Sequence, residues 1–247
     1  MDELSVRGSA EMMEGVCEAF HQNIKELEEA NAEKPAVVRS CGELEGTWEE
    51  IARAIKSGAE FKSGDYKKGS MVDGQAFTMV VTDVTDEYVR FESRDCVGKE
   101  MKWNKNGSTK LGYPGSSIHK YLNKELFEQL PEDLRNVISL GERKTLRDGE
   151  VVTFNTYLFL PAASEVFEEG HCYGDERLYE QMEYYRDRRN RMRGAAEGED
   201  TDSWWMASVR SGFPESACLV SGEGGGSSYW CASDASRVPV CFIIKKL

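Results

Sequence analysis

The sequence predicts an α+β protein, in which helices and strands are mixed without the regular alternation of a parallel α/β fold. Three observations support this class. The N-terminal part carries apolar residues at helical spacing, the middle contains stretches rich in β-branched and aromatic residues, and the C-terminal part has short apolar stretches separated by glycine and serine. The chain has 247 residues, of which 40% are hydrophobic, so it is long and apolar enough to form a core.

The first predicted element is a helix over residues 9–33, which Pro35 ends. Its apolar residues recur at intervals of three and four positions: Met13, Cys17, Phe20, Ile24 and Leu27. This stripe either packs on its own domain or associates with a second copy, and the pattern alone leaves both open. We therefore divide the chain into an N-terminal helical segment, residues 1–40, and a main domain, residues 45–247.

The elements of the main domain follow from local signals. Thr47 and Glu50 have the spacing of a capping box, which predicts a helix over residues 48–57 that ends at Gly58. Pro131 predicts the start of a further short helix. The remaining predicted elements are strands 76–84 and 87–93, a helix over 118–129, strand 151–160, a charged helix over 176–193 and strand 238–244.

Charge and cysteine content exclude several classes. The net charge of −13 argues against general binding to nucleic acid, and the acids around the arginine run 186–193 indicate internal ion pairs. Seven cysteines without a Cys-x-x-Cys pair indicate mostly buried thiols rather than a disulfide framework or zinc ribbon. No apolar stretch approaches the ~20 residues of a membrane span. The acidic residues 1–4 do not resemble a signal peptide, so we expect synthesis in the cytoplasm, with a phage virion as a further location.

Motifs for catalysis or cofactor binding are weak. The glycine-rich residues 222–228 lack the Lys-Ser/Thr of a phosphate-binding loop. His171, Cys172 and Asp175 have metal-ligand side chains, but no second ligand pair stands at a suitable spacing. We therefore predict no cofactor, no metal and no enzymatic activity.

Ordered blocks in the second half of the chain resemble a widespread family of uncharacterised domains from gut bacteria, their phages and prophages. Members of that family end in the pattern WWLRS, V..G and GVRP. The matching blocks here are 203–208 (SWWMAS), 217–222 (ACLVSG) and 238–244 (VPVCFII), preceded by 47–51 (TWEEI), 64–65 (GD), 117–123 (SIHKYLN), 157–161 (YLFLP) and 164–166 (SEV). Met206-Ala207 and Arg237-Val238-Pro239-Val240 depart from the family pattern.

The resemblance implies a C-type-lectin-like fold, shared by formylglycine-generating enzymes and by the variable proteins of diversity-generating retroelements. In those variable proteins, exposed and mutable positions near the C-terminus bind ligands. By the same resemblance, residues 205–240 would form a variable ligand-binding face, with Trp204, Trp205, Val220, Val238 and Phe242 as buried framework. The expected ligand-binding residues, exposed together on one face, are Ser211, Phe213, Ser228, Tyr229, Ser233, Asp234, Ser236 and Arg237.

Three functions follow from these expectations. The first is a non-catalytic recognition protein, phage- or prophage-encoded, that binds a protein or cell-surface receptor through a diversified face. The second is an interaction module without diversification. The third is an enzyme of the formylglycine-generating type, for which only Cys218 and Cys231 lie in a suitable part of the chain. The expected partners include neither nucleic acid nor a membrane, and a homo-oligomer would form through residues 9–33.

Overall fold

The computed structural model describes residues 39–168, 178–210 and 212–247, together with Val16, His21 and Gln22; of residues 227–229 it describes the backbone alone. The chain divides into two units, Met1–Pro35 and Ala36–Leu247. In the first unit, Val16, His21 and Gln22 are helical. The other positions of the predicted helix 9–33 lie outside the described residues. The second unit has the α+β architecture that the sequence predicts.

A six-stranded sheet forms the frame of this unit, in the order β1-β2-β3-β4-β5-β15. Only β2 and β3 pair in parallel. The strands are β1 (Arg39–Ser40), β2 (Glu43–Leu44), β3 (Tyr66–Ser70), β4 (Ala76–Val84), β5 (Tyr88–Ser93) and β15 (Cys241–Lys245). The predicted strands 76–84 and 87–93 are confirmed. The last strand begins at Cys241 rather than at Val238, because Pro239 has no N–H for a ladder.

The helix Trp48–Lys56 packs on this sheet. The Thr47 side chain accepts a hydrogen bond from the Glu50 amide, and the Glu50 carboxylate accepts one from the Thr47 amide, so the predicted capping box is confirmed. Trp48 contacts Phe91 of β5 and Phe242 of β15 edge-to-face, with ring centroids 5.3 and 5.7 Å apart. One aromatic cluster thus joins the helix to β5 and β15, two neighbouring strands of the sheet.

Short helical segments cover the region between residues 112 and 135. They are Gly112–Gly115, Ser117–Tyr121, the π-helical turn Leu122–Leu126, Phe127–Gln129 and Glu132–Arg135. The predicted helix 118–129 is therefore helical throughout but contains a π turn. The last segment begins directly after Pro131, as predicted.

The remaining strands form one three-stranded and three two-stranded sheets, in the orders β11-β12-β13, β7-β8, β9-β10 and β6-β14. Their bounds are β6 (Met101–Lys102), β7 (Gly141–Arg147), β8 (Glu150–Thr156), β9 (Arg193–Gly194), β10 (Thr201–Asp202), β11 (Trp204–Val209), β12 (Ser216–Val220), β13 (Gly226–Cys231) and β14 (Ala235–Ser236). The short helix Ala163–Val166 lies between β8 and β9. Strand β8 ends before the predicted residue 160, because the amides of Tyr157 and Leu158 bond to the Asn123 side chain instead.

The prediction of a helix over residues 176–193 is wrong for the described residues 178–193. They form two 3-10 turns, Glu183–Arg186 and Arg188–Arg191, followed by β9. Asp187 caps the second turn by accepting from the Arg189 amide, and the side chains of Tyr185 and Arg193 are both buried. The predicted ion pairing is confirmed for Arg186, which pairs with Glu183 at 2.8 Å, and for Arg189, which pairs with Asp187 at 2.6 Å.

Two hydrophobic clusters lie on opposite faces of the β11–β12 pair. Trp205, Val209, Ala217 and Leu219 belong to the main cluster, which extends to the six-stranded sheet. The alternating residues Trp204, Met206, Cys218 and Val220 belong to a second cluster with Tyr185 and Val166. Both faces of these strands are therefore packed, which makes them a rigid base for the loops at their ends. No helix among the described residues is long and apolar enough to cross a membrane.

Candidate ligand-binding surface

The loop that joins β11 to β12 forms one wall of an open cleft of about 330 Å³. The loop is closed at its base by a hydrogen bond from the Arg210 amide to the Ser216 carbonyl, at 3.1 Å. The other walls come from the segment before residue 112 and from the β7–β8 turn. The polar and aromatic residues that line the cleft are Thr109, Lys110, Asp148, Arg210 and Phe213, and Pro214 lies beside them. We refer to it as the Phe213 cleft.

Phe213 is the exposed aromatic residue of this cleft, with 48% of its surface accessible. The Arg210 guanidinium lies over the Phe213 ring, 3.6 Å from its centroid. Such a cation–π pair holds a planar apolar surface and a fixed positive charge side by side. The arrangement can contact an apolar group and a polar or anionic group of one ligand.

Neighbouring loops fasten the Phe213 cleft to the body of the domain. The Thr109 amide donates to the Pro214 carbonyl at 2.6 Å, and the Ala232 amide donates to the Glu215 carbonyl at 2.8 Å. Ser233 lies against Gly107, where an added methyl group would come within 3.4 Å of the Ser233 Cβ atom. Three loops, around residues 107, 213 and 233, therefore meet at this end of the β11–β12–β13 sheet.

The structure divides the predicted ligand-binding residues between two places. Phe213, Ser233 and Asp234 lie at the end of the sheet where β11 turns into β12, and Phe213 and Asp234 are exposed. Arg237 lies at the other end, opposite Trp204 at the start of β11, and its Nε donates to Asp202 Oδ2 at 3.0 Å. Ser211 and the side chains of Ser228 and Tyr229 lie outside the described residues.

The expectation that Ser236 is exposed is wrong. The residue is only 2% accessible, and its Oγ donates to the Ser203 carbonyl at 2.7 Å. Its backbone pairs with Met101 as β14 pairs with β6. The pairing turns the Ser236 side chain inward, toward Ser203, while the neighbouring Ala235 stays exposed. This pairing joins distant parts of the chain and has no local sequence signal. The framework residues Trp204, Trp205, Val220, Val238 and Phe242 are all buried, as predicted.

Sequence reasoning missed most of the cleft. Lys110 and Asp148 are distant in sequence from Arg210, and nothing in their local pattern connects them. One signal was readable: Asp148-Gly149 is a dipeptide that favours a tight hairpin turn, and both residues have positive φ, at 51° and 83°. That signal predicts the β7–β8 hairpin but not its approach to residue 213.

The largest group of buried charges lies away from the cleft and was not predicted. Arg90 of β5 pairs with Glu92 at 2.8 Å and with Glu165 at 2.6 Å, and Arg143 of β7 pairs with the second Glu165 oxygen at 2.6 Å. Arg193 of β9 extends the network by pairing with Glu92 at 2.8 Å. Three arginines and two glutamates thus join the six-stranded sheet to β7, β9 and the helix Ala163–Val166.

Hydrogen bonds complete this network. The Tyr185 hydroxyl donates to Glu92, Arg193 donates to the Tyr185 oxygen at 2.6 Å, and the Ala162 amide donates to Glu165 at 2.7 Å. Burial alone would raise the pKa of Glu165, but the positive charges of Arg143 and Arg90 outweigh it and lower that pKa to about 2. Glu165 is therefore ionised at neutral pH. The network acts as a structural brace in which each charged side chain has an ion-pair partner, while Arg90 Nε and Nη2 and Arg193 Nε make no hydrogen bond.

A second polar cluster surrounds Asn123 in the π-helical turn. Its Oδ1 accepts from the Leu158 amide at 2.9 Å and from the Thr156 hydroxyl at 3.0 Å, while its Nδ2 donates to the Leu158 carbonyl at 2.8 Å. His119 Nε2 lies 3.1 Å from the same Thr156 hydroxyl. Burial lowers the pKa of His119 to about 4, so the imidazole is neutral at physiological pH. Asn123 satisfies the backbone where strand β8 ends.

Metal binding finds no support in the described part of the chain. Within residues 39–168, 178–210 and 212–247, no three His, Cys, Asp or Glu side chains are grouped so as to hold a metal ion. His171, Cys172 and Asp175 lie outside these ranges. Three of the described cysteines, Cys96, Cys218 and Cys241, are buried, and burial raises the pKa of the Cys96 thiol to about 12.

Comparison with known proteins defines the family. Residues 79–246 match the model of a family described as a domain of unknown function, DUF6273. Because the match covers more than half of the chain, the protein belongs to this family. No curated protein and no solved structure matches the chain.

Proposed function

We propose that the chain is a non-catalytic recognition protein with a C-type-lectin-like fold, which binds its ligand in the Phe213 cleft. The observation that carries the proposal is the exposed Phe213 ring under the Arg210 guanidinium, at the mouth of a cleft built by three loops. Aromatic and arginine side chains dominate the energy of binding interfaces, and here an exposed aromatic ring and a half-buried arginine lie side by side.

The base of the cleft supports this role. The residues of β11 and β12 are buried on both faces of the sheet, so the loops at its end are held by a rigid frame. Loops held by a rigid frame lose less conformational entropy when they bind a ligand. Substitutions in exposed loops of such a frame change stability by only about 0.5 kcal/mol, which allows specificity to vary while the fold is kept.

The charges of the cleft indicate the chemistry of the ligand. Lys110 and Arg210 provide two cations and Asp148 one carboxylate around the Phe213 ring. Glu215 follows in the same loop, so both signs of charge lie near the ring. The cleft therefore suits a ligand that combines an apolar or sugar-ring face with polar or charged groups, on a protein or cell-surface glycan.

Diversification by a retroelement is a separate part of the proposal. Phe213, Ser233 and Asp234 lie at one end of the β11–β12–β13 sheet and support this part of the proposal, whereas the buried Ser236 cannot belong to a diversified face. The discriminating observation is genomic. A neighbouring reverse transcriptase gene, with a near-copy of the codons for residues 205–240 that differs at adenines, indicates diversification; without it, the chain is an interaction module of fixed specificity.

Binding can be tested with a bacterial glycan array and a random-peptide display library, both probed with the full chain. We expect ligands whose binding falls at least about tenfold in Phe213→Ala and in Arg210→Ala, the loss of roughly 1.4 kcal/mol. Tyr157→Ala is a matched control, because Tyr157 is also an exposed aromatic residue, at 44%, and lies outside the cleft. If neither probe yields a ligand that depends on Phe213, the proposal is wrong.

A further inference from the structure

Strand β8 has an unpaired edge that is well suited to strand addition. Among the described residues, β8 pairs only with β7, in a two-stranded sheet. Its residues after Glu150 carry no charge and include no proline. Val151, Thr153 and Asn155 are exposed, and Val151 is 56% accessible. Proteins normally protect such an edge with charges, proline or a covering segment, because its backbone groups accept another strand.

The outer edge of β7, which is the other edge of this hairpin, is occupied by the Tyr179 side chain. This contact shows which backbone groups of β8 face outward. Both the amide and the carbonyl of Lys144 in β7 bond to the Tyr179 hydroxyl, at 2.5 and 3.2 Å. Lys144 thus directs its backbone groups away from its β8 partner, Thr153. In an antiparallel pair, directly opposite residues either bond to each other or both face outward. Thr153 therefore presents its N–H and C=O at the open edge, as do Val151 and Asn155 by alternation.

We propose that this edge pairs with β8 of a second copy of the chain, antiparallel, around a two-fold axis at Thr153. Thr153 then exchanges two hydrogen bonds with Thr153 of the partner subunit. Val151 stands opposite Asn155 of the partner subunit, and the reverse pair follows by symmetry. The result is a continuous four-stranded sheet made of two hairpins.

The identity of the occupant follows from self-complementarity. The outward donors and acceptors are spaced by two residues on either side of Thr153, so the same strand turned by 180° matches them in register. The one charged residue of β8, Glu150, then lies opposite Thr156 of the partner subunit, so no like charges meet along the strands. An edge contact of this kind is smaller than the roughly 1,200 Å² of a stable interface, so the dimer is weak and requires a high protein concentration.

Cysteine cross-linking of the full chain tests the register. Thr153→Cys places two thiols on residues whose Cα atoms would be about 5.5 Å apart, within the range of a disulfide. Asn155→Cys is the matched control, because its two copies would be separated by about 13 Å along the strands. Under mild oxidation we expect at least about tenfold more covalent dimer from Thr153→Cys than from Asn155→Cys or the unmodified chain. Equal cross-linking of the two variants overturns the proposal.

Sedimentation tests the same contact without a cross-link. Between about 10 µM and 1 mM we expect the unmodified chain to form a growing fraction of dimer. Thr153→Pro removes the outward N–H but no bond of the β7–β8 ladder, so it should lower the dimer fraction at least about tenfold, whereas Thr153→Val keeps the N–H and the dimer. A chain that remains monomeric at 1 mM, or a folded Thr153→Pro variant that dimerises as the unmodified chain does, contradicts the pairing.

Discussion

The Arg90 guanidinium and the Glu165 carboxylate, which are 75 residues apart in the chain, form a buried ion pair at 2.6 Å. Both side chains are almost inaccessible to solvent, at 2% and 4%. The pair joins β5 of the six-stranded sheet to the helix Ala163–Val166, which contains the SEV block (164–166) of the sequence analysis. The function of that block is therefore structural: its glutamate neutralises two arginines in the core.

Removing the charge of Glu165 should destabilise the domain strongly. Glu165→Gln leaves Arg90 and Arg143 without their shared carboxylate, and breaking a buried pair costs about 3–5 kcal/mol. Urea unfolding measures the change. Glu183→Gln is the control, because Glu183 pairs with Arg186 on the surface and should contribute about 0.5 kcal/mol or less. Similar losses in the two variants would show that the network does not brace the fold.

Acid should destabilise the domain in two pH ranges. The lowered pKa of His119 means that the unfolded chain binds a proton below about pH 6.5 whereas the folded chain does so only near pH 4. Stability is then lost as the pH falls between these values, by about 1–3 kcal/mol. Glu165, with its pKa lowered to about 2 from 4.5, contributes stability that is lost as the pH falls through 4.5 toward 2.

Urea midpoints at pH 7, 5 and 3 separate these two ranges. His119→Gln should be less stable at pH 7 but should lose less stability than the unmodified chain between pH 7 and 5. An unchanged slope in that variant would assign the upper range to another group.

Asn123 should be among the most sensitive polar residues. Asn123→Ala leaves the amide of Leu158 without a partner at the end of β8, whereas the Leu158 carbonyl keeps the Thr156 hydroxyl. An unsatisfied buried group costs about 1–3 kcal/mol, and a loss in this range is expected in thermal or urea unfolding. Asn155→Ala, on the exposed face of the same strand, provides the comparison and should change stability by less than about 0.5 kcal/mol.

The two adjacent tryptophans should be equally important although they occupy different clusters. Trp204 and Trp205 are fully buried, and each indole donates a hydrogen bond of 2.9 Å, to the Arg191 and Met101 carbonyls. Replacement of either by alanine should cost about 3–5 kcal/mol. Trp230→Ala should cost much less, because Trp230 is 42% accessible. Unfolding midpoints that change as little for Trp204 or Trp205 as for Trp230 would contradict this assignment.

Elements with local signals were predictable from the sequence. The capping box at Thr47 and Glu50, the helix start after Pro131 and strand β4 depend on residues close together in the chain, and the structure confirms all three. The incorrect predictions concern residues whose structure depends on contacts with distant parts of the chain. Residues 178–193 carry the charges of a surface helix, but Arg193 reaches Glu92, 101 residues away, and the chain forms turns that allow this.

The candidate site was predictable only in part for the same reason. Phe213 was found because it lies between framework blocks, and it is exposed at the cleft. Lys110, Asp148 and Arg210 were missed because their proximity depends on the packing of three separate loops. Ser236 was misassigned because its burial depends on the pairing of β14 with β6. Strands of only two residues have no recognisable sequence pattern.

The position of β15 in the six-stranded sheet has a consequence for protein synthesis. Strand β5 pairs with residues 241–245, which the ribosome adds about 150 residues later. At translation rates of about 5–20 residues per second, β15 is synthesised roughly 8–30 s after β5. During that time Phe91 and the Arg90 charge lack the groups that cover them in the finished domain. We therefore expect the nascent chain to depend on chaperones that shield this strand. We also expect core substitutions to cause aggregation mainly at this stage, before β15 has been synthesised.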